Sequence, residues 1–236
     1  MTDKSVSAIV DEFGLVSASK IPPLSSYLKQ TWQRRDFIME LARARSTAEY
    51  SDSLLGRIWQ LLTPLLNAAI YFFIFGVLLG TKKGIENYTT FLVAGVFVFN
   101  FMQVSVTIAA SALPRNLLLT QAIHFPKLVL PLAVVVHQIQ QYFVSLAVLV
   151  VIVLLTGEPV TLMWLAMPLV VILQILFTTG LGLIFARWGA NSRDINQLLP
   201  FFTRTWRYVS GVFFSTRLDS KMRISLEKLK DSMPHH

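Results

Sequence analysis

The chain has no cysteine, which removes disulfides, thiolate metal sites and cysteine nucleophiles at once. Charge is scarce, with 14% of the 236 residues being Asp, Glu, Lys or Arg, against about a quarter in ordinary soluble domains. No Gly-Lys pair occurs anywhere, so there is no G-x-x-x-x-G-K-[ST] phosphate loop, and nucleotide hydrolysis by this chain is not expected. The histidines, at 124, 137, 235 and 236, are too scattered to hold a metal ion. No catalytic constellation of convergent acids, bases and nucleophiles is visible. The reading is therefore a protein that is not an enzyme and binds no cofactor or metal of its own.

What fills the chain instead is apolar sequence. Hydrophobic residues make up 54% of it, Phe alone occurring 17 times. Four runs, 58–81, 87–114, 128–157 and 159–186, contain no Asp, Glu, Lys or Arg. The first is 24 residues long, which as a helix reaches roughly 36 Å, enough to cross a hydrocarbon core of about 30 Å. Arg57 and Trp59 stand at its start as an interfacial pair. The first run follows a long polar segment, so it is not a cleavable signal peptide.

These runs predict an all-α membrane protein, an N-terminal amphipathic interfacial helix followed by a bundle of about five transmembrane helices. Residues 1–26, Ser-rich and broken by Pro22-Pro23, read as a mobile cytoplasmic arm. Residues 27–47 read as a basic amphipathic helix lying in the membrane surface, with Leu28, Trp32, Met39 and Ala42 on its apolar side, Arg34 elsewhere, and Arg35 interrupting the stripe. The transmembrane domain covers 58–216, with spans at about 58–81, 89–113, 128–155, 160–186 and 196–216. Arg204 and Arg207 interrupt the last span, and each costs about 2.5–3.5 kcal/mol at a helix centre on insertion scales. A polar tail, 217–236, follows.

The net charge of +8 suggests nucleic acid only until its placement is inspected. With the N-terminus inside, the cytoplasmic segments carry twelve Lys and Arg and the opposite side only Lys82 and Lys83. That asymmetry orients a multi-pass protein and needs no nucleic-acid partner. The first four spans hold no Asp, Glu, Lys or Arg and a single histidine, His137; set among Gln138, Gln140 and Gln141, it reads as a hydrogen-bonded packing residue. Gly76 and Gly80 close the first span at a spacing that permits close helix approach. Pro114 and Pro126 bracket a short helix whose triplet Leu117–Leu119 suits a partner's groove.

Three patterns in order at the span boundaries then support a family. Tyr50-x-x-Ser53-x-Leu55-Gly56-x-x-Trp59 with Pro64, His124-Phe125-Pro126-Lys127 with Pro131, and Ser192-Arg193-Asp194-Ile195 with Leu198-Leu199-Pro200 together resemble the signatures of ABC-2 type permeases. The nearest branch is the polysaccharide exporters, which move O-antigen, teichoic acid or related cell-wall polymers such as galactan. The similarity covers about 30–216. The resemblance implies the membrane subunit of an ATP-driven exporter of lipid-linked polysaccharide in the bacterial inner membrane, working as a homodimer with two copies of an ATP-binding cassette subunit that carries the ATP and Mg. It also implies ATPase-coupling contacts at Arg115, Asn116, Leu117, Leu118, Leu119 and His124, and at the interface helix with Trp32, Arg34 and Arg35. A polymer tunnel needs sugar-stacking aromatics and polar groups, and candidates are Tyr71, Phe72, Phe99, Phe201, Phe202, Arg204, Trp206, Arg207 and Tyr208. The family usually has six spans, and no sixth apolar run is expected here. An ABC-2 exporter of a lipid or drug, and a shortened, non-transporting scaffold, are the alternative readings.

Overall fold

The computed structural model describes residues 23–51, 53–78, 88–122, 125–155 and 162–210. The expected arm apart from its last residues, the polar tail, Gly80, His124 and the final part of the expected fifth span lie outside the described residues.

The described residues are helical, with no strand among them. In order they are α1 (Leu24–Gln33), α2 (Arg35–Tyr50), α3 (Ile58–Tyr71), which continues as a π-helix (Phe72–Leu78), α4 (Tyr88–Arg115), α5 (Leu117–Ala122) and α6 (Val129–Leu155). A 3-10 turn (Leu162–Ala166) then leads into α7 (Met167–Asn191) and α8 (Arg193–Val209). Three stretches, Thr90–Arg115, Val129–Leu155 and Trp164–Asn191, are long and apolar enough to cross a membrane.

Two boundaries differ from the sequence reading for local reasons. The single interface helix expected over 27–47 is two helices, because Arg34 leaves helical geometry (φ −94°, ψ 16°). The fifth segment begins at Arg193 rather than 196, because Ser192 is extended (φ −138°, ψ 124°) and separates α7 from α8. Gly56, at φ +50°, makes the turn from α2 into α3, a left-handed conformation that a Cβ disfavours.

The bundle is organised on α4, which packs along α6 and α7 and is also met by α3 and α8. Leu92, Val93, Val96 and Phe97 of α4 interlock with Tyr142, Leu146 and Leu149 of α6. Phe101 stacks on Tyr142 at 4.3 Å between ring centroids and 11° between planes. Lower on α4, Ala109 and Ala112 meet Leu130, Val134 and Val135 of α6, and Ala110 and Val106 meet Leu199 of α8. The small side chains let backbones approach closely, which drives helix association where lipid offers apolar contacts of its own.

One such approach follows from Pro114. Proline has no N–H, so the helical bond from residue 114 to the Ala110 carbonyl is missing. Gly189 of α7 sits against that carbonyl: a Cβ added at Gly189 would overlap Ala110 O and lie 2.5 Å from Asn196 Oδ1. The helix still continues to Arg115, where the Asn116 side chain ends it by donating to the Ala112 carbonyl at 2.7 Å.

α2 is docked rather than loose. Ile38 packs with Val129 and Ala133, and Phe37 tilts on Phe125 at 5.7 Å. Outward, α7 presents Leu169, Val170, Leu173, Leu176 and Phe177, an apolar face suited to lipid.

Candidate functional site

The interior seam between α3, α4, α6 and α8 is polar, although the helices that form it are apolar overall. On α3, Gln60, Thr63, Pro64, Asn67 and Tyr71 recur at i, i+3, i+4, i+7 and i+11, one face of a helix. The opposite face carries exposed Leu61, Leu65 and Ile70. With Asn100 of α4, Gln138 and Gln141 of α6 and Arg207 of α8, the α3 stripe lines a cavity of about 220 Å³. Each amide supplies both donors and an acceptor.

Arg207 is the charged centre of this seam. α8 presents Leu199, Thr203, Trp206 and Arg207 inward, at i, i+4, i+7 and i+8. One guanidinium nitrogen of Arg207 donates to the Tyr71 hydroxyl at 3.0 Å, and the other donates to Asn100 Oδ1 at 3.4 Å and to Gln103 Oε1. The same group lies 5.6 Å from the Phe99 ring, and Phe99 meets Trp206 edge-on at 6.4 Å. Among the described residues no carboxylate pairs with Arg207. Its charge is held by neutral oxygens and a ring face, an arrangement that can still accept an anion.

At the other end of the same cavity, α2 is bonded to α6. His137 is buried, and its Nε2 donates to Glu49 Oε2 at 2.8 Å. Gln141 donates to the Tyr50 hydroxyl at 2.8 Å, and Gln60 donates to Ser46 Oγ at 3.2 Å. Burial and the neighbouring Glu49 carboxylate raise the Tyr50 phenol above its ordinary pKa, so it stays protonated. The last turn of the surface helix is thereby tied to the polar seam.

The structure brings Tyr71, Phe99, Trp206 and Arg207 together, with Phe202 tilted on Trp206 at 5.9 Å from the exposed side. It does not bring in Phe72, which is exposed in the π-helix, or Phe201 and Tyr208, which are exposed on α8. Arg204 is also exposed and lies off the inner stripe of α8. Of the coupling candidates, Arg115 ends α4, Asn116 caps it, and α5 projects Leu117 and Leu118 outward, Leu118 at 83% exposure, while Leu119 turns in against the α4–α6 core. Trp32 is exposed on α1, with Arg35, the first residue of α2, lying 6.0 Å over its ring; Arg34 occupies the α1–α2 break.

Sequence reasoning missed Gln60, Asn67, Asn100, Gln103, Gln141 and the Glu49–His137 bond. A signal for the first of these exists: the polar residues of α3 are rare, but all fall at helical spacing on one side. A search for ionisable residues alone passes over them.

The fold and the seam define a multi-pass helical membrane protein with a polar interior. The profile of the ABC-2 type transporter family matches residues 38–220, and the chain belongs to that family. Among curated relatives it is similar to the O-antigen export system permease protein RfbA of Klebsiella pneumoniae, at 28% identity over 77% of this chain and 70% of the relative. It is similarly related to the RfbA protein of Myxococcus xanthus, at 28% identity over 83% of this chain and 75% of the relative.

Proposed function

We propose that this chain is the membrane subunit of an ATP-driven exporter of lipid-linked polysaccharide, working as two copies in the inner membrane with an ATP-binding cassette subunit docked on each. The N-terminus and the Arg115 end of the bundle lie on the cytoplasmic side, in keeping with the excess of Lys and Arg there. The observation that carries the reading is the Arg207 seam. An otherwise apolar bundle keeps amides, the Tyr50 and Tyr71 phenols and a guanidinium facing one cavity, groups that meet sugar hydroxyls by hydrogen bonds. Polar residues at membrane depth are costly and mark a transported substrate's path. The names of the relatives agree with a polymer substrate.

Energy reaches the seam through two elements in this scheme. α5 offers Leu117 and Leu118 to a groove on the ATPase subunit, and α2 passes movement inward through the Glu49–His137 and Tyr50–Gln141 bonds. The test is co-expression with a cognate ATP-binding cassette subunit and purification in detergent. Equal-ratio recovery of both chains, ATPase activity, and loss of the association in Leu118→Asp are expected. A chain that purifies alone, remains monomeric and supports no ATP-dependent polymer export in vesicles overturns the reading.

A further inference from the structure

The Arg207 seam carries a charge that sugar hydroxyls alone do not require. Two charged side chains line its cavity, Arg207 and Glu49. Glu49 is taken by the His137 imidazole at 2.8 Å, and among the described residues no carboxylate answers Arg207. Arg207 lies 14 residues beyond Arg193 along α8, and Asn100 lies 15 residues before Arg115 along α4. As helix, both distances are about 21–22 Å, which places the guanidinium well inside a hydrocarbon core of about 30 Å. A charged side chain at that depth is costly, and amides and phenols already suffice for hydroxyl groups. The guanidinium therefore has a task in which its charge matters.

The hydrogen-bond inventory of Arg207 indicates what that task is. A guanidinium has five N–H groups, and those of Arg207 donate to Tyr71, Asn100 and Gln103, all neutral acceptors. The second N–H at Nη1 has no acceptor among the described residues, and Nε is buried without one. A carboxylate accepts two N–H groups of one guanidinium side by side and adds opposite charge, which no hydroxyl does. Around the guanidinium, Thr63, Asn67, Gln138, Gln141 and Ser145 line the same cavity, so the matching ligand carries hydroxyl groups as well as the anion. An alkyl or acyl chain would leave those groups unmatched. At about 220 Å³ the cavity is smaller than ordinary small-molecule sites of about 300–1,000 Å³, and it suits a single sugar unit rather than a long segment.

We propose that the seam recognises an acidic sugar unit, with Arg207 pairing to the carboxylate of the unit while the surrounding amides and hydroxyls hold its ring substituents. Arg207 then sets specificity: a neutral unit meets the same amides without the ion pair. That such units belong to an exported polymer rests on the exporter reading; their recognition in the seam does not.

The test uses the full-length chain in detergent micelles, without ATP or any ATPase subunit, and three probes: a trisaccharide of galacturonic acid, the galactose trisaccharide of equal linkage, and acetate. Saturable binding of the acidic trisaccharide is expected, at least about tenfold tighter than that of the neutral one. Arg207→Gln should bring the two to equal affinity, and Arg207→Lys, which keeps the charge without the fork, should retain part of the preference. Asn67→Leu should weaken both by a similar factor, about threefold, and leave their ratio unchanged. Arg204→Gln, a charge removed elsewhere on α8, should alter neither. Equal binding of the two trisaccharides by the unaltered chain overturns the proposal and leaves the exporter reading standing, as does a preference that survives in Arg207→Gln. If Arg207→Gln does not fold, loss of the whole preference in Arg204→Gln, or its full retention in Asn67→Leu together with its absence in Arg207→Lys, decides: the first overturns the proposal, the second supports it. Acetate competing as well as the acidic trisaccharide overturns recognition of a sugar in favour of a free carboxylate. If ATP-driven export fails in vesicles while the Arg207-dependent preference persists, the exporter reading falls and the site stands.

Discussion

The two sides of α4 place one helix in opposite environments. Towards α7 the contact is close and set by small side chains. Gly182 stands where a Cβ would touch Ala109 at 3.4 Å and Val135 at 3.5 Å, and Gly189 leaves no room for a Cβ at all. Towards α3 and α8 the same helix gives Asn100 and Gln103 as acceptors to Arg207 at the edge of a cavity. The difference shows how a membrane bundle divides its labour. Small side chains fix one contact through packing, while polar side chains hold the other open, because their hydrogen bonds need partners or water rather than lipid.

The comparison is broken most severely at the close contact. Gly189→Ala forces a methyl group into the Ala110 carbonyl and should destabilise the bundle by about 3 kcal/mol, in the upper part of the range for overpacked cores. Thermal unfolding in detergent measures it, and an unchanged midpoint would mean that α7 is not seated on α4 as described. Next comes the polar side. Arg207→Met leaves Asn100, Gln103 and Tyr71 with each other and with water, and should lower polymer export about tenfold or more while changing stability by less than Gly189→Ala does. If stability falls and export per folded molecule does not, the seam is a packing device only.

A smaller effect is expected where α2 meets the seam. Glu49→Ala strands a buried imidazole N–H and should cost about 1–3 kcal/mol of local docking, whereas Glu49→Gln keeps an acceptor and should cost less. Amide exchange along α2 reads the difference, and equal exchange in the two variants would dismiss the bond as a tether. The smallest effect belongs to Arg204→Gln. That side chain is exposed and off the inner stripe, so stability should stay within about 0.5 kcal/mol, and export should follow it.

The long helices were legible in the sequence because nothing interrupts them. α4, α6 and α7 coincide with uncharged runs, and length alone specifies a span. Tyr71, Phe99, Trp206 and Arg207 were legible as residue types suited to a sugar path, though not as one cluster, since the cluster depends on how α8 rotates. Asn67, Asn100 and Gln103 were obscure because a neutral amide barely alters hydropathy. The bonds from Glu49 and Tyr50 to α6 were beyond reach: 88 and 91 residues separate the partners, and only the docking of α2 joins them. The break at Arg34 was hidden for a different reason, as arginine is a good helix former and nothing in the local composition signals an end.

Pro114 has a mechanical consequence. By baring the Ala110 carbonyl it gives Gly189 a seat that no neighbouring residue of α7 can occupy, so α7 cannot slide along α4 without leaving it. With α6 interlocked on the opposite flank, these three helices form a stator. The Asn196 side chain of α8 donates to the Gly189 carbonyl at 2.9 Å, so the start of α8 is pinned to the same seat, and α3, which meets α4 beside the cavity, is left outside it.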